Sequence, residues 1–84
     1  MTHREALLKA ANPGQQPRHQ SFKTLIEQFG FRLASMNRLH SIFVHPDIPE
    51  MYNLQNINGQ TKPFQVRQMI NLVYKYQLKA TDEQ

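Results

Sequence analysis

Cysteine is absent from the 84 residues, which removes disulfides, thiolate metal sites, a cysteine nucleophile and thiol redox sensing together. The core must hold without covalent staples. Acidic charge is missing from one long stretch: between Met51 and Ala80 there is no Asp or Glu, while Lys62, Arg67, Lys75 and Lys79 are present. One-signed surface favours a polyanion, because each neutralised phosphate releases condensed counterions; a solvated helix face is the competing account. No apolar run approaches the roughly 20 residues of a membrane span, and Met1-Thr2-His3-Arg4-Glu5 lacks the apolar stretch of a secretory signal. A cytoplasmic protein with no membrane partner is expected. Phosphate-cradling glycine loops and zinc-ligand spacings are missing too, and His40 and His45 fall on opposite strand faces with no acidic cluster beside them. Neither a metal nor another cofactor is expected.

A chain this short makes one small domain with little room for a deep enclosed pocket, so function is expected at a surface. Apolar residues at 39% suffice for one modest core. Net charge is +4 with histidines neutral.

Thr2 to Ala11 holds good helix formers with Thr2 as N-cap, and Asn12-Pro13-Gly14 ends it. Gln15 to Gln20 reads as a polar linker. Residues 1–20 are therefore expected to form an extension with few tertiary contacts, 21–79 the domain, and 80–84 a loose tail. Ser21 is placed to cap a helix whose Phe22, Leu25, Ile26 and Phe29 share one face, with Gly30 as its stop. Phe31 to Ser35 and Leu39 to His45 are rich in strand formers and joined by Met36-Asn37-Arg38, which suits a hairpin. Met51 to Gln55 reads as a third strand. A last helix is expected from about Pro63 to Gln77, with Val66, Met69, Ile70, Val73 and Tyr76 as its buried stripe. Both stripes packed on one face of a three-stranded antiparallel sheet give a two-layer α+β fold of order α-β-β-β-α.

Several words stand in this order: Ser21-Phe22-Lys23-Thr24-Leu25, Phe29-Gly30-Phe31, His40-Ser41-Ile42-Phe43, His45-Pro46, Asn53-Leu54-Gln55 and Lys62-Pro63-Phe64-Gln65-Val66-Arg67-Gln68. Together they resemble the HicA family of toxin–antitoxin proteins, over roughly Phe22 to Leu78. The resemblance implies a fold like that of a double-stranded-RNA-binding domain (dsRBD-like). It also implies a metal-independent endoribonuclease that cleaves mRNA and inhibits translation, with a single catalytic histidine at His40 and a HicB-like antitoxin as partner. The family motif sets glycine and then serine or threonine before the histidine, two variable residues and an aromatic after it. Here His40 and Phe43 match, whereas the two preceding positions are Arg38 and Leu39.

Histidine suits metal-free RNA cleavage, because an unperturbed pKa of about 6.5 leaves both protonation forms populated near neutrality. His40 is then the acid or base, one histidine need not do both jobs, and nearby cations and N–H groups stabilise the phosphorane charge. The competing account makes His40 an ordinary polar strand residue. Alternation sets His40, Ile42 and Val44 on one face and Leu39, Ser41, Phe43 and His45 on the other; if Ile42 and Val44 are core, His40 lies at the core edge. Arg38 either grips phosphate with its forked donors in place of the glycine and serine, or activity is lost with Leu39 blocking the approach. Lys62, Gln65 and Arg67, near the start of the last helix, are candidate phosphate-binding residues; alternatively Lys62-Pro63 only starts the helix and Arg67 is solvated. The reading is a HicA-like toxin, with a catalytically inactive RNA-binding module or a protein-interaction domain on the same fold as alternatives.

Overall fold

Thr2 opens the first helix of this computed structural model, which describes all 84 residues. Its hydroxyl accepts the Glu5 N–H at 3.1 Å, and the Glu5 carboxylate accepts the Thr2 N–H at 3.0 Å, a capping box that starts α1 (His3–Lys9). The resulting helix is far from loosely attached, contrary to the expectation for residues 1–20. Leu7 is fully buried and Ala10 nearly so, both within the single core cluster. Arg4 reaches the far end of the chain, donating to Glu83 at 2.7 and 2.9 Å and to the Leu78 carbonyl at 2.9 Å. The His3 N–H donates to Asp82 at 2.9 Å. Residues expected as a loose tail instead form a 3-10 turn, Thr81–Glu83, with the Thr81 N–H on the Gln28 carbonyl at 2.8 Å. Spacing along the chain carries no trace of such contacts, because their partners are more than fifty residues apart.

The second helix, α2 (His19–Glu27), begins two residues before Ser21, which lies inside it. No side chain caps it. Tertiary bonds fix its start instead: the His19 N–H donates to the Gly59 carbonyl at 2.9 Å, and the Thr61 N–H to Pro17 at 3.0 Å. The stretch expected as a polar linker is thus pinned to the loop before the last helix. Phe22, Ile26 and Phe29 are buried, with Leu25 packed at the margin. Gly30 then turns the chain at φ +95, and a Cβ there would stand 2.6 Å from His45 Nε2. Only glycine meets both demands. His45 accepts the Asp47 N–H at Nδ1 (3.1 Å), so its hydrogen sits on Nε2 and is donated to the Phe29 carbonyl at 3.1 Å. His45 is a structural tie between the helix exit and the sheet.

Strands β1 (Arg32–Met36), β2 (His40–Val44) and β3 (Tyr52–Gln55) form an antiparallel sheet in the order β1-β2-β3. A register shift between Leu33 and Ser35 places Ala34 as a bulge in β1. In β2 and β3 it is Ser41, Phe43, Tyr52 and Leu54 that are buried, and Phe43 pairs with Tyr52 as Ser41 does with Leu54. Ile42 and Val44 therefore do not supply the core. They share the opposite face with His40, because two aromatic rings facing the helices fill more volume than the two β-branched residues would.

Helix α3 (Pro63–Lys75) buries Val66, Met69, Leu72 and Val73, while Ile70 and Tyr76 sit only at the edge of the core. It ends two residues earlier than its apolar spacing suggests. Helices α1, α2 and α3 contribute to one core on one face of the sheet, giving the expected α+β architecture of order α-β-β-β-α with α1 added in front. Four fully or nearly fully buried phenylalanines, Phe22, Phe29, Phe31 and Phe43, dominate that core, each worth about 1.5–3 kcal/mol of burial.

Candidate nucleic-acid interface

His40 is held by the backbone of a tight hairpin. The Asn37 side-chain oxygen accepts the N–H groups of both Leu39 and His40 at 2.9 Å, and the Asn37 N–H donates to the His40 carbonyl at 2.9 Å. An asparagine at this position does what turn asparagines do, satisfying backbone donors that the strand ladder leaves open. From the other side the Asn56 N–H donates to the Leu39 carbonyl at 2.9 Å. His40 pairs with Gln55 across the ladder, and its Nε2 lies 3.4 Å from the Gln55 amide nitrogen. The residue is half-buried at the first position of β2.

Between the start of α2 and this hairpin lies a cleft of about 220 Å³. It gathers His40 and Arg38 with His19, Lys23, Asn37 and Asn56, and no carboxylate lines it. Arg38 also lines a neighbouring depression with Asn56 and Asn58, and is exposed. His19 Nδ1 is buried without a close hydrogen-bond partner. Burial and then the Lys23 charge hold the His19 imidazole below its ordinary value of 6.5, against an opposing contribution from the Gln55 backbone. A half-buried cationic ring is disfavoured in such a place, so the neutral form is preferred.

His19 and Lys23 were not among the residues picked out from sequence. His19 lies in the stretch whose polar composition reads as a linker, and nothing local marks its proximity to a strand twenty-one positions on. One usable signal exists: with the helix begun at His19, the interval to Lys23 is i to i+4, which places both on one face.

The three residues at the start of α3 fare differently. Gln65 is 2% exposed, and its amide is fully engaged in the fold. Its oxygen accepts the Gln55 N–H at 2.6 Å, and its nitrogen donates to the Asn53 carbonyl at 3.1 Å and to Gln68 at 2.8 Å. The Gln65 carbonyl also accepts the buried Tyr52 hydroxyl at 2.6 Å. Gln65 thus caps the free edge of β3, as exposed strand edges require, and the expected phosphate contact from its side chain is corrected accordingly. The helix start is also a poorer anion site than expected. Pro63 has no N–H, and those of Gln65 and Val66 donate to the Lys62 carbonyl, which leaves Phe64 alone in the first turn. Lys62 is half-buried at the N-cap and Arg67 is exposed, and neither lines the His40 cleft. Of the tyrosines, Tyr52 is buried and Tyr76 donates to Glu50, while Tyr74 is exposed. No protein-family model, curated protein or solved structure matches this chain.

Proposed function

We propose that the chain is a HicA-like toxin: a metal-independent endoribonuclease that cleaves mRNA in the cytoplasm and is neutralised by a HicB-like antitoxin. The observation that carries this reading is the cleft in which half-buried His40 meets Arg38 and Lys23 without any carboxylate. Such a place attracts a phosphodiester and repels nothing anionic. His40 supplies a proton-transferring nitrogen at a backbone position fixed by Asn37. Arg38 has the forked donors to hold the phosphate oxygens where the family motif has glycine and serine. Lys62 and Arg67, in the acid-free stretch from Met51 to Ala80, lie outside the cleft and offer further cations to a polyanion.

The test is incubation of a defined RNA with the wild type and His40→Ala, with chelator present. Cleavage by the wild type and its loss in the variant is the expected result; cleavage that survives the substitution sinks the assignment. A non-catalytic RNA-binding module is the second reading. It is favoured by Leu39, which lines the same cleft and is 62% exposed where the family motif has a small hydroxyl residue. Salt-sensitive binding with no cleavage by either protein selects it.

A further inference from the structure

The cleft contains a second histidine, on a different element from the first. His19 comes from the first turn of α2 and His40 from the first residue of β2, with Lys23 and Arg38 beside them. We infer that His19 is a second catalytic residue of this site, the base that takes the 2′-hydroxyl proton, while His40 is the acid that protonates the departing 5′ oxygen. The inference rests on the endoribonuclease reading and assigns that reaction's two proton transfers to two named rings.

Three observations carry it. The ring lines the cleft with Nδ1 as its enclosed nitrogen. Its position is fixed by a backbone bond, the His19 N–H to Gly59 at 2.9 Å, as well as by the helix. The imidazole is only loosely used by the fold, since Nδ1 has no close hydrogen-bond partner and the ring's polar contact is with the Gln55 backbone, unlike His45, whose two ring nitrogens are both engaged. The charged and titratable groups lining the cleft with His19 are Lys23 on its own helix, Arg38 in the hairpin and His40 on β2; Asn56, from the loop before α3, adds no charge. Burial and Lys23 favour a neutral ring, which is the form a base needs.

The step balances without a co-reactant. The 2′ oxygen forms a bond to phosphorus as its proton passes to His19. The bond from phosphorus to the 5′ oxygen breaks as His40 gives that oxygen a proton. The products are a 2′,3′-cyclic phosphate and a 5′-hydroxyl end, and the two rings return to their starting forms by exchange with water. Lys23 and Arg38 neutralise the phosphorane oxygens between the two rings.

The experiment compares wild type, His19→Ala, His19→Gln and His40→Ala on two versions of one RNA, the natural diester and one with sulfur in place of the scissile 5′ oxygen. Sulfur leaves without needing a proton, so it bypasses the acid and not the base. Each His19 variant is expected to lose about 100- to 10,000-fold in kcat, the range for removal of a general acid or base, and to lose the low-pH limb of the rate profile. The sulfur substrate restores His40→Ala and leaves the His19 variants slow. Wild-type rates in both His19 variants overturn the inference while leaving the endoribonuclease reading intact, and so does rescue of those variants by sulfur. No cleavage by wild type overturns both. Independently of turnover, the ring C–H resonances of both histidines are followed in full-length protein titrated with cytidine 3′-monophosphate. Movement of both resonances is expected; movement of His40 with His19 unchanged overturns the inference.

Discussion

The two ends of this molecule handle charge in opposite ways. At the end where α1 meets the final turn, the carboxylates are partnered: Glu83 by the Arg4 guanidinium, and Asp82 by the His3 backbone N–H. At the hairpin end, Arg38, Lys23 and two histidines share a cleft with no acid. Of the six acidic residues, Glu5 closes a helix cap, Glu50 holds Lys75 and Tyr76, and Asp82 and Glu83 tie the two termini of the chain together. The same composition thus yields a self-neutralised end and an unneutralised end, the latter carrying the proposed site. Exposed pairs of the first kind contribute modestly to stability, whereas uncompensated cations of the second kind attract a polyanion.

The comparison breaks most visibly if the two ends fail to respond separately. His40→Ala is expected to reduce RNA cleavage by about 100- to 10,000-fold and to leave the melting temperature essentially unchanged, since the ring makes one long contact, to Gln55. Single-turnover cleavage and a thermal melt on the same preparation check both halves. Leu7→Ala is the mirror experiment. It removes a fully buried side chain from α1 and is expected to cost about 2–5 kcal/mol of unfolding free energy, with binding of RNA by the folded protein unaltered. A cost below about 0.5 kcal/mol would return α1 to the status of a loose extension.

How far each end was legible from sequence follows from the range of the interactions. Helices α2 and α3 announce themselves by spacing, because Phe22, Ile26 and Phe29, or Val66, Met69 and Val73, repeat every three or four positions. The strands follow from their composition and from the polar residues between them. The docking of α1 did not follow, since the adjacent Leu7 and Leu8 define no repeating stripe and the helix packs on α2 and α3, further along the chain. The face of β2 stayed open for a related reason: Ile42 and Val44 against Ser41 and Phe43 is no clear alternation, and only pairing with Tyr52 and Leu54 decides it. His40 and Arg38 were visible through the family resemblance. His19 was not, because α2 lacks a side-chain cap at the position where it begins, and Gln65 misled because its polarity suggests solvent although its amide completes a strand edge.

Two smaller effects sharpen the contrast. Gly30→Ala places a methyl group against His45 at a positive φ, and a loss of about 1–3 kcal/mol is expected, read from urea midpoints. His45→Ala in the same chain removes the clash and leaves the backbone term, so the double variant recovers part of the deficit relative to additivity. At the hairpin end, Arg38→Ala is expected to lower the slope of log binding constant against log salt by about one unit or less, the signature of one lost phosphate contact. An unchanged slope would remove Arg38 from the RNA surface.

The smallest expected effect belongs to the paired end. Glu83 is held by Arg4, and then by the Ala80 N–H, so that its carboxyl falls from an ordinary 4.5 to about 2. The folded state therefore binds fewer protons than the unfolded chain between these two values, and its stability declines as pH falls through that window. Above about pH 5 the contribution is fully present; below about pH 2 it is gone. Glu83→Gln is expected to melt slightly lower than wild type at pH 7, with the gap shrinking through pH 3 and closing near pH 2. His19, whose own value is lowered, also reduces stability as pH falls below 6.5, but it is present in both proteins and cancels in their difference. Because the Arg4–Glu83 pair is accessible to solvent, 0.5 M salt is expected to narrow the pH 7 gap as well. A gap that persists undiminished at pH 2 would mean that the Gln substitution disturbs the final turn itself, and that charge pairing is not what holds this end of the molecule closed.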